Sequence, residues 1–502
     1  METGFTYQGQ LMKDGLPIND TCEVAFRLYD AASGGNQVGS AITQTVVISN
    51  GLLTSQLDFG SNAFDGDARW IGLAVQCPGD VGFTAFGERQ ALTPAPYALH
   101  AANAGLLDGL EASAFQQHYA NVIVVAQSGG DFTSIQSALD SITDASASNP
   151  YLVWVAPGVY AETVTMKAYV DIEGAGELVT KITAGGSSEN DTGTVVGVDN
   201  AELRFLTVEN TGGAAHANGI YNQAASPRLT HLTVIALQGS SYTRGVYNGA
   251  SSNPTMTDMH ITSSSSSDQS YAVNNENSSP MMKDLILNAI STSSSSPAAA
   301  NGIRNSYASP TIMDTTITVS GGYGAGGILN AYASPRITNV SIVVSGASYA
   351  STGIHNDHIC SPIMNTVSVS VTGGTAIGVL SQDGATPTLN NMTIWVDGGS
   401  SHHGRGVHND SAIAVIQNSA ITAVGSSSTY GIYNSGATGT YTVTINNSQI
   451  TANTNTIYNY STSAFTTRVG ASWLSGGAVS GSTIICAGVY DEAYTFYAST
   501  CP

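Results

Sequence analysis

The stretch "GIYNQAASPRLTHLTV" (219–234) recurs along the chain with the same Gly and Asn, and with a Pro at nearly the same distance. Other copies are "GVYNGASSNPTMTDMHIT" (245–262), "GIRNSYASPTIMDTTITV" (302–319) and "GILNAYASPRITNVSIVV" (327–344). The motif is found ten times at spacings of 25 to 30 residues, with Gly in eight copies and the Pro in seven. A fixed period in this range is typical of a solenoid, whose units stack because each is too short to bury its own apolar face.

Each unit contains a strand, a turn, a second strand and a variable loop. This content predicts a parallel β-helix with one coil of about 25–30 residues per repeat and about 4.8 Å between coils. The second motif position is always Ile or Val and is predicted to point inward, where it stacks on its counterparts. The predicted inward residues are Ile220, Val246, Ile303, Ile328, Ile354, Val379, Val407 and Ile432.

The fourth motif position is predicted to lie at a tight turn, where stacked Asn amides bond one another and satisfy buried polar groups. A second polar column, which includes Asp314, Asn339 and Asn365, is interpreted as a set of turn-capping residues. The third motif position varies and is predicted to face solvent. Ser381 is the one departure from Asn at the fourth position. The predicted ladder residues are Asn222, Asn248, Asn275, Asn305, Asn330, Asn356, Asn409, Asn434 and Asn459.

The rest of the chain predicts four segments, the first being a small antiparallel β module at residues 1–92. There "CEVAFRLYD" (22–30) alternates in period two, and Asn50-Gly51 is a hairpin signal. A linker with a short helix is predicted at 93–120. The β-helix is predicted at 121–470 with a capping helix near 132–142, and a C-terminal cap segment at 471–502.

The composition excludes several classes of partner. The net charge is −21, so the surface repels phosphate backbones and disfavours nucleic acid and anionic membranes. No apolar run reaches the roughly 18 residues needed to span a bilayer. We therefore predict no nucleic-acid partner and no membrane span.

The five cysteines suggest a compartment. Cys22 and Cys77 lie in the N-terminal module and Cys486 and Cys501 in the last segment, which leaves Cys360 over. Two local disulfides indicate an oxidising environment, whereas five reduced thiols in a cytosolic protein remain the alternative. Because the opening "METGFTYQGQ" is typical of a mature protein and not of a leader, we predict a secreted, extracellular or cell-surface protein.

Three stretches resemble the N-terminal coils of pectin methylesterases and the wider pectin-lyase-like superfamily: "VVAQSGGDFTSIQSALDSI" (124–142), "VWVAPGVYAETVTM" (153–166) and "VDIEGAG" (170–176). The resemblance implies a right-handed β-helix whose helix near 132–142 caps the core. It implies no esterase activity, because the family's catalytic motifs "QDTL", "DFIFG" and "LGRPW" have no counterpart here. Residues 5–97 and "AANAGLLDGLEASAF" (101–115) resemble modules and linkers of secreted bacterial surface and fibre proteins, and "CAGVYDEAYTFYASTCP" (486–502) resembles a tail found after bacterial β-helices.

One group of ionisable residues comes from three consecutive coils, "GIHNDHIC", "GVLSQDG" and "HHGRGVHND". In register they would lie within about 5–10 Å of one another and could hold a metal or act as acid and base. The alternative is that they are ordinary turn residues, since Asp is favoured in turns. We predict no cofactor, with calcium as the alternative left open. The candidate catalytic residues are His355, Asp357, Asp383, Arg405, His408 and Asp410, with His358 beside them.

A line of aromatic residues at or near the third position suits stacking on sugar rings, and it equally suits cross-strand pairing on any flat sheet. The candidates for glycan stacking are Tyr221, Tyr247, Tyr307, Tyr332, Tyr433 and Tyr458.

Three functions remain from the sequence. The favoured hypothesis is a noncatalytic structural or adhesive protein that assembles with itself into a fibre or filament and binds a polysaccharide or cell-surface glycan. The others are a glycoside hydrolase or lyase that uses the His/Asp group, and a monomeric carbohydrate-binding module.

Overall fold

The computed structural model describes residues 4–13, 15–60, 63, 68–92, 106–107, 110–111, 119, 121–266, 269–294, 296, 298–399, 402–425, 428–436, 439–460 and 464–502. The chain forms two compact units, Met1–His118 and Tyr119–Pro502. Most of the predicted linker at 93–120, including its short helix, lies outside the described residues.

The N-terminal unit is a small antiparallel β structure, as predicted. Val24, Phe26 and Leu28 are fully buried on one face of their strand, and Cys22 is bonded to Cys77. The strands of this unit are Phe5–Gln10, Met12–Lys13, Leu16–Pro17, Asp20–Tyr29, Gln37–Ile48, Leu52–Leu57, Arg69–Gln76, Thr84–Ala85, Gln90–Leu92, Leu106–Leu107 and Leu110–Glu111.

The Asn50-Gly51 turn forms, with both residues at positive φ, but it does not join a long hairpin. Among the described residues, Ser49↔Leu52 is the one backbone bridge between the two sides, and Gln44 adds side-chain bonds to Ser55 and Gln56. The strand after the turn, Leu52–Leu57, pairs instead with Phe5–Gln10.

The second unit is a parallel β-helix of about 13 turns. Its strands pair in register from coil to coil, so that Ile220 faces Val246 and Asn222 faces Asn248. The strands of the first coils are Asn121–Val125, Tyr151–Val155, Gly158–Ala161, Val164–Thr165, Val170–Gly174 and Thr180–Ala184. The strands that carry the Gly-Ile-x-Asn motif, called here the ladder strands, are His216–Gln223, Tyr242–Gly249, Gln269–Glu276, Ala299–Ser306, Gly324–Ala331, Ala350–Asp357, Thr375–Gln382, Gly404–Asp410 and Thr429–Ser435, preceded by Val195–Val196.

The other strand of each coil bends at one residue with positive φ, for example His231 or Asp258. From Ile363–Thr372 onward each such strand faces a pair of shorter strands. The bend residue after Asn339 is Thr366 and not the predicted Asn365, because Asn365 pairs with Thr338, one position earlier. These kinked strands are Glu202–Asn210, Arg228–Leu237, Thr255–Ser265, Met281–Ser291, Thr311–Ser320, Arg336–Ser345, Ile363–Thr372, Thr388–Asn390 with Thr393–Asp397, Val415–Gln417 with Ala420–Val424, and Thr440–Asn446 with Gln449–Asn459.

A helix, Ile135–Ser141, packs on the first coils through Ile135, Ala138 and Leu139. Ser134 is its N-cap, and the Glu162 carboxylate accepts hydrogen bonds from the Ser134 hydroxyl (2.7 Å) and the Ile135 amide (2.9 Å). A carboxylate at this end also interacts favourably with the helix dipole.

The last coil ends in a covalent and antiparallel closure. Cys486 is bonded to Cys501, and Phe496–Tyr497 pairs antiparallel with Val489–Tyr490. An antiparallel strand ends the parallel stack because it covers the free strand edge. The last strands are Ala464–Gly470, Trp473–Gly481, Ile484–Ala487, Val489–Tyr490 and Phe496–Tyr497.

The predicted inward column is confirmed, since every one of its Ile and Val side chains, from Ile220 to Ile432, is fully buried. The Gly before each of them is required by crowding and not by φ. In eight coils a Cβ at this Gly would lie 2.2–2.6 Å from a methyl group of the Val or Ile on the facing kinked strand, as for Gly327 and Ile342. It would also lie 2.4–2.7 Å from the backbone carbonyl oxygen of the next coil.

Two coils have a side chain in place of this Gly, namely Ala272 and Thr456. In both, register places a Leu where the other coils have Val or Ile: Leu287 pairs with Ile261 and Ile317, and Leu474 pairs with Ile450. Leu has no methyl group on its β-carbon, so it leaves space for the additional Cβ. Among the ten motif copies, Gly therefore coincides with a β-branched facing residue, and its two replacements coincide with Leu.

The amide ladder is present in two segments. From Asn222 to Asn356 each Nδ2 donates to the Oδ1 of the next Asn at 2.8–2.9 Å, and the same bonds join Asn409 to Asn459. Ser381 interrupts it, because its shorter side chain accepts from Asn356 at 3.3 Å. The Oδ1 atoms at the start of both segments, on Asn222 and Asn409, are buried and have no partner among the described residues.

Candidate functional site

The structure brings together three of the residues predicted from the motif turns. Asp357 ends one ladder strand and His358 follows it, while Asp383 follows the next ladder strand, so the three lie on adjacent coils. One ligand atom from each lies within 4.8 Å of the other two. The His358 Nδ1 is 3.1 Å from the Asp357 Oδ2, in an orientation that makes no hydrogen bond. These residues, with His355, Arg405, His408 and Asp410, are called here the His–Asp cluster.

His408 belongs to a separate, satisfied part of this cluster. Its Nδ1 is 3.2 Å from an Arg405 guanidinium nitrogen and its Nε2 is 2.9 Å from the Ser435 hydroxyl. Burial, followed by the charges of Arg405 and His355, lowers the pKa of His408 to about 3. The neutral ring accepts from Arg405 at Nδ1 and donates from Nε2, which leaves no lone pair for base catalysis.

The remaining members are also engaged. The His355 Nε2 is 2.7 Å from the Gln382 Oε1, and burial lowers the pKa of His355. Burial raises the pKa of Asp410, and the nearby charge of Asp383 raises it further. The Arg405 guanidinium lies over the Tyr433 ring, 4.3 Å from its centroid. The cluster therefore does not converge on one point, and only Asp357, His358 and Asp383 are arranged to share a ligand.

A second candidate lies along the kinked strands. A cavity of about 410 Å³ runs over four coils, next to the bend residues. Its lining comes from three columns, namely the bend residues, the residues directly after them and the outward-facing residues that follow. Eight of the eleven side chains carry a hydroxyl or an amide. Asp314 is the one ionisable residue of the lining, and its Oδ1 accepts a 2.6 Å bond from the Asn339 amide. The residues that line this hydroxyl groove are Asp314, Thr315, Thr316, Asn339, Val340, Ser341, Thr366, Val367, Ser368, Asn391 and Thr393.

Trp395 stands beside the hydroxyl groove. It follows Thr393 by two positions on the same outward face. Its neighbours in register are Ser370 and Thr422, both small, and 39% of its surface is exposed. A large aromatic ring with small neighbours offers a face to a ligand.

The rings of the predicted tyrosine column contact one another. Tyr221 stacks on Tyr247 at 5.0 Å and Tyr307 on Tyr332 at 4.7 Å, with nearly parallel rings. Stacking covers one face of each ring, while Tyr307 and Tyr332 remain 60% and 42% exposed. Tyr433 and Tyr458 contact each other at a tilt of 33°.

The third motif position does not simply face solvent, contrary to the prediction. Tyr221 and His408 are only 6% and 7% exposed. The loop before the first motif lies over Tyr221, where a Cβ at Gly193 would be 3.1 Å from the tyrosine Cβ. The position points away from the core, but neighbouring coils and loops cover it.

A charged network on the first coils was not predicted from the sequence, because it lies before the first copy of the motif. Arg204 and Arg228 each donate to the Glu202 carboxylate, at 2.8 and 2.9 Å. The Tyr119 hydroxyl donates to Asp171, and burial raises the pKa of Asp171. The charges face each other across neighbouring strands and are all bonded, which is the arrangement of an ion network that ties coils together. The alternation of Asp171 with Glu173, and of Glu202 with Arg204, is the signal that would have revealed it.

Among the helices that the structure describes, none is both long enough and apolar enough to cross a bilayer.

Comparison with known proteins gives a domain match and likenesses of fold. A family model described as a domain of unknown function (DUF8740) matches residues 6–94. No curated protein is significantly similar in sequence.

Similar solved structures include the mannuronan C-5 epimerase AlgE6 A-module of Azotobacter vinelandii, at 14% identity and a TM-score of 0.39 over 71% of this chain and 94% of that one. The catalytic unit of a GH87 alpha-1,3-glucanase from Streptomyces thermodiastaticus is 14% identical, with a TM-score of 0.32 over 87% of each chain. The pectin methylesterase PemA of Erwinia chrysanthemi is 14% identical, with a TM-score of 0.32 over 46% of this chain and 82% of that one.

Proposed function

We propose that the protein is a noncatalytic extracellular adhesive protein that binds an uncharged polysaccharide, with the polysaccharide chain lying in the hydroxyl groove beside Trp395. The observation that carries this proposal is the groove itself. Its hydroxyl and amide groups repeat once per coil, and an exposed tryptophan stands next to it.

The repeat suits a repeating ligand. Side chains of one column recur about every 4.8 Å along the helix axis, close to the length of one sugar in an extended glycan. Hydroxyl and amide groups both donate to and accept from sugar hydroxyls, and an indole face packs against the apolar face of a sugar ring. An extended glycan along the axis would meet the same groups at each successive sugar.

The charges favour an uncharged ligand. No cationic side chain lines the groove, and Asp314 is its one ionisable residue. The chain carries a net charge of −21, which disfavours uronate-rich polyanions. A neutral polysaccharide is therefore the ligand class that the groove fits best.

The groove also lacks the groups for hydrolysis. Glycosidases use two carboxyl groups flanking the scissile bond, whereas this lining has one, and that one is bonded to Asn339. The enzyme alternative would need Asp357 and Asp383, which belong to the turns after the ladder strands. The two disulfides favour the extracellular setting.

Binding to a panel of soluble glycans tests the proposal. We expect the full chain to bind at least one neutral polysaccharide and to leave polygalacturonate and alginate unbound, measured by affinity electrophoresis and calorimetry. Trp395→Ala should weaken binding at least tenfold, while Trp154→Ala, which removes a tryptophan from a distant coil, should not. Equal binding by wild type and Trp395→Ala, or release of reducing ends that is lost in Asp383→Ala, would reject it.

Self-assembly into a fibre is the second part of the proposed role. Exposed aromatic residues at the last coil favour it, since Tyr494 and Phe496 are 73% and 56% exposed and exposed apolar clusters are typical of contact surfaces. Sedimentation velocity at increasing concentration should show oligomers that Phe496→Ser reduces. A monomer at all concentrations would remove this part and leave the glycan-binding role standing.

A further inference from the structure

We infer that Asp357, His358 and Asp383 form a binding site for a divalent transition-metal ion that joins two successive coils. Each residue supplies one ligand atom, and the three atoms lie within 4.8 Å of one another. Metal–ligand distances of about 2.0–2.2 Å require these atoms to approach slightly, which small rotations of exposed or half-exposed side chains allow. The site is on a different face from the hydroxyl groove and does not depend on the glycan proposal.

The ligand set points to the class of metal. One imidazole with two carboxylates suits zinc, cobalt or nickel, whereas calcium takes six to eight oxygen ligands. Two carboxylates neutralise the charge of a divalent ion, so the occupied site carries no excess charge. His358 and Asp357 are partly open to solvent, with 41% and 27% of their side chains exposed, which leaves room for water at the remaining positions.

The imidazole is already held in place. The His358 ring lies against the Tyr332 ring, with centroids 4.3 Å apart, and Tyr332 stacks in turn on Tyr307. His358 and Asp383 occupy the same left-handed turn position of their coils, at φ 62° and 48°. A ring that packing has already oriented loses less freedom when it binds a metal.

The site lies where the amide ladder is weakest. Ser381, two residues before Asp383, is where the amide ladder weakens to a 3.3 Å bond, and the buried Oδ1 of Asn409 has no partner among the described residues. An ion shared by Asp357 and His358 on one coil and Asp383 on the next would connect the two coils that Asn356 and Ser381 connect poorly. We therefore assign the ion a structural role at this junction.

Metal binding to the full chain tests the site. The protein is treated with a chelator, dialysed and titrated with zinc, cobalt, nickel or calcium alone, by calorimetry and, for cobalt, by visible absorption. We expect one tight zinc or cobalt site per chain, weaker calcium binding, and a higher melting temperature with zinc. His358→Asn and Asp383→Asn should each weaken binding at least tenfold, since even second-shell changes cost about 10–100-fold.

The control is His231→Asn. His231 also has positive φ and lies 2.6 Å from one carboxylate, Asp258. Among the described residues, no second carboxylate completes a comparable group with it. Asn tolerates the left-handed conformation at both positions, so the variants differ in the site and not in backbone strain. Affinity equal in wild type, His358→Asn and Asp383→Asn, or lost equally in His231→Asn, would show adventitious surface binding and overturn the inference. Calcium binding more tightly than zinc would also overturn it.

Discussion

The hydroxyl groove and the His–Asp cluster share several coils and are built from the same repeat, yet they differ in almost every chemical respect. The groove follows the kinked strands and has one ionisable lining residue, Asp314. The cluster follows the ladder strands and gathers three histidines, three aspartates and an arginine. The repeat thus fixes the positions of the side chains. The residue types at the outward positions, which differ between the two faces, determine which ligands each face can bind.

This difference explains which surface the sequence revealed. A search for reactive residue types finds His355 or Asp383, but it passes over Ser341, Ser368 and Thr393, because Ser and Thr are common in any β-rich chain. The groove exists only through register, which places those hydroxyls in one column beside Trp395. No short stretch of sequence contains it.

The largest expected effect concerns the interior that supports both surfaces. Asn330→Ala removes two buried bonds, from Asn305 (2.8 Å) and to Asn356 (2.9 Å), and leaves one buried polar atom of each neighbour without this partner. The free energy of unfolding should fall by about 2–5 kcal/mol, measured by equilibrium denaturation of the full chain. Asn288→Ala, the same change on an outward face, should cost less than about 1 kcal/mol. Similar losses in the two variants would contradict the buried ladder.

The next effect concerns the interior contact between the motif Gly of a ladder strand and the facing residue of a kinked strand. Gly327 lies on a ladder strand and Ile342 on a kinked strand, and a Cβ at Gly327 would be 2.4 Å from the Ile342 Cγ2. Gly327→Ala should destabilise by about 1–3 kcal/mol through overpacking. Adding Ile342→Leu should recover part of this loss, as Leu287 accompanies Ala272. A strictly additive double mutant would rule out the proposed pairing of Gly with β-branched residues.

The smallest expected effect concerns Ser381, where the amide ladder is interrupted close to the His–Asp cluster. Ser381→Asn should restore the bond from Asn356 and supply a donor for the buried Asn409 Oδ1. We expect a gain of about 1 kcal/mol in the free energy of unfolding and unchanged binding in the groove. A loss of stability would indicate that the junction is shaped around Ser and not merely deprived of an Asn.

Much of the fold follows from the sequence because the interior repeats. The motif period, the inward Ile and Val and the Asn column each depend on one position per coil, so Ile328 and Asn330 could be placed without coordinates. The exposure of the outward-facing residues could not be predicted, because it depends on which loops of variable length lie over them. Gly193 lies over Tyr221, and the third position is therefore buried there although it points outward.

The site followed the sequence only in part. Proximity of Asp357 and Asp383 was predictable from coil spacing, but the engagement of His408 with Arg405 and Ser435 was not, since it depends on side-chain directions. The position of the bend at Thr366, one residue after Asn365, was not predictable either. A shift of one residue in register is not visible in a column of similar polar residues.

The most direct test of the glycan-binding role is a crystal structure of the full chain with a neutral oligosaccharide identified by the binding panel. The sugar chain should lie along the hydroxyl groove, bonded to side chains such as Asn339 and Ser368, with one ring against Trp395 and no bond cleaved. An oligosaccharide bound instead at Asp357 and Asp383, or recovered there as shortened products, would contradict the account and establish the enzyme.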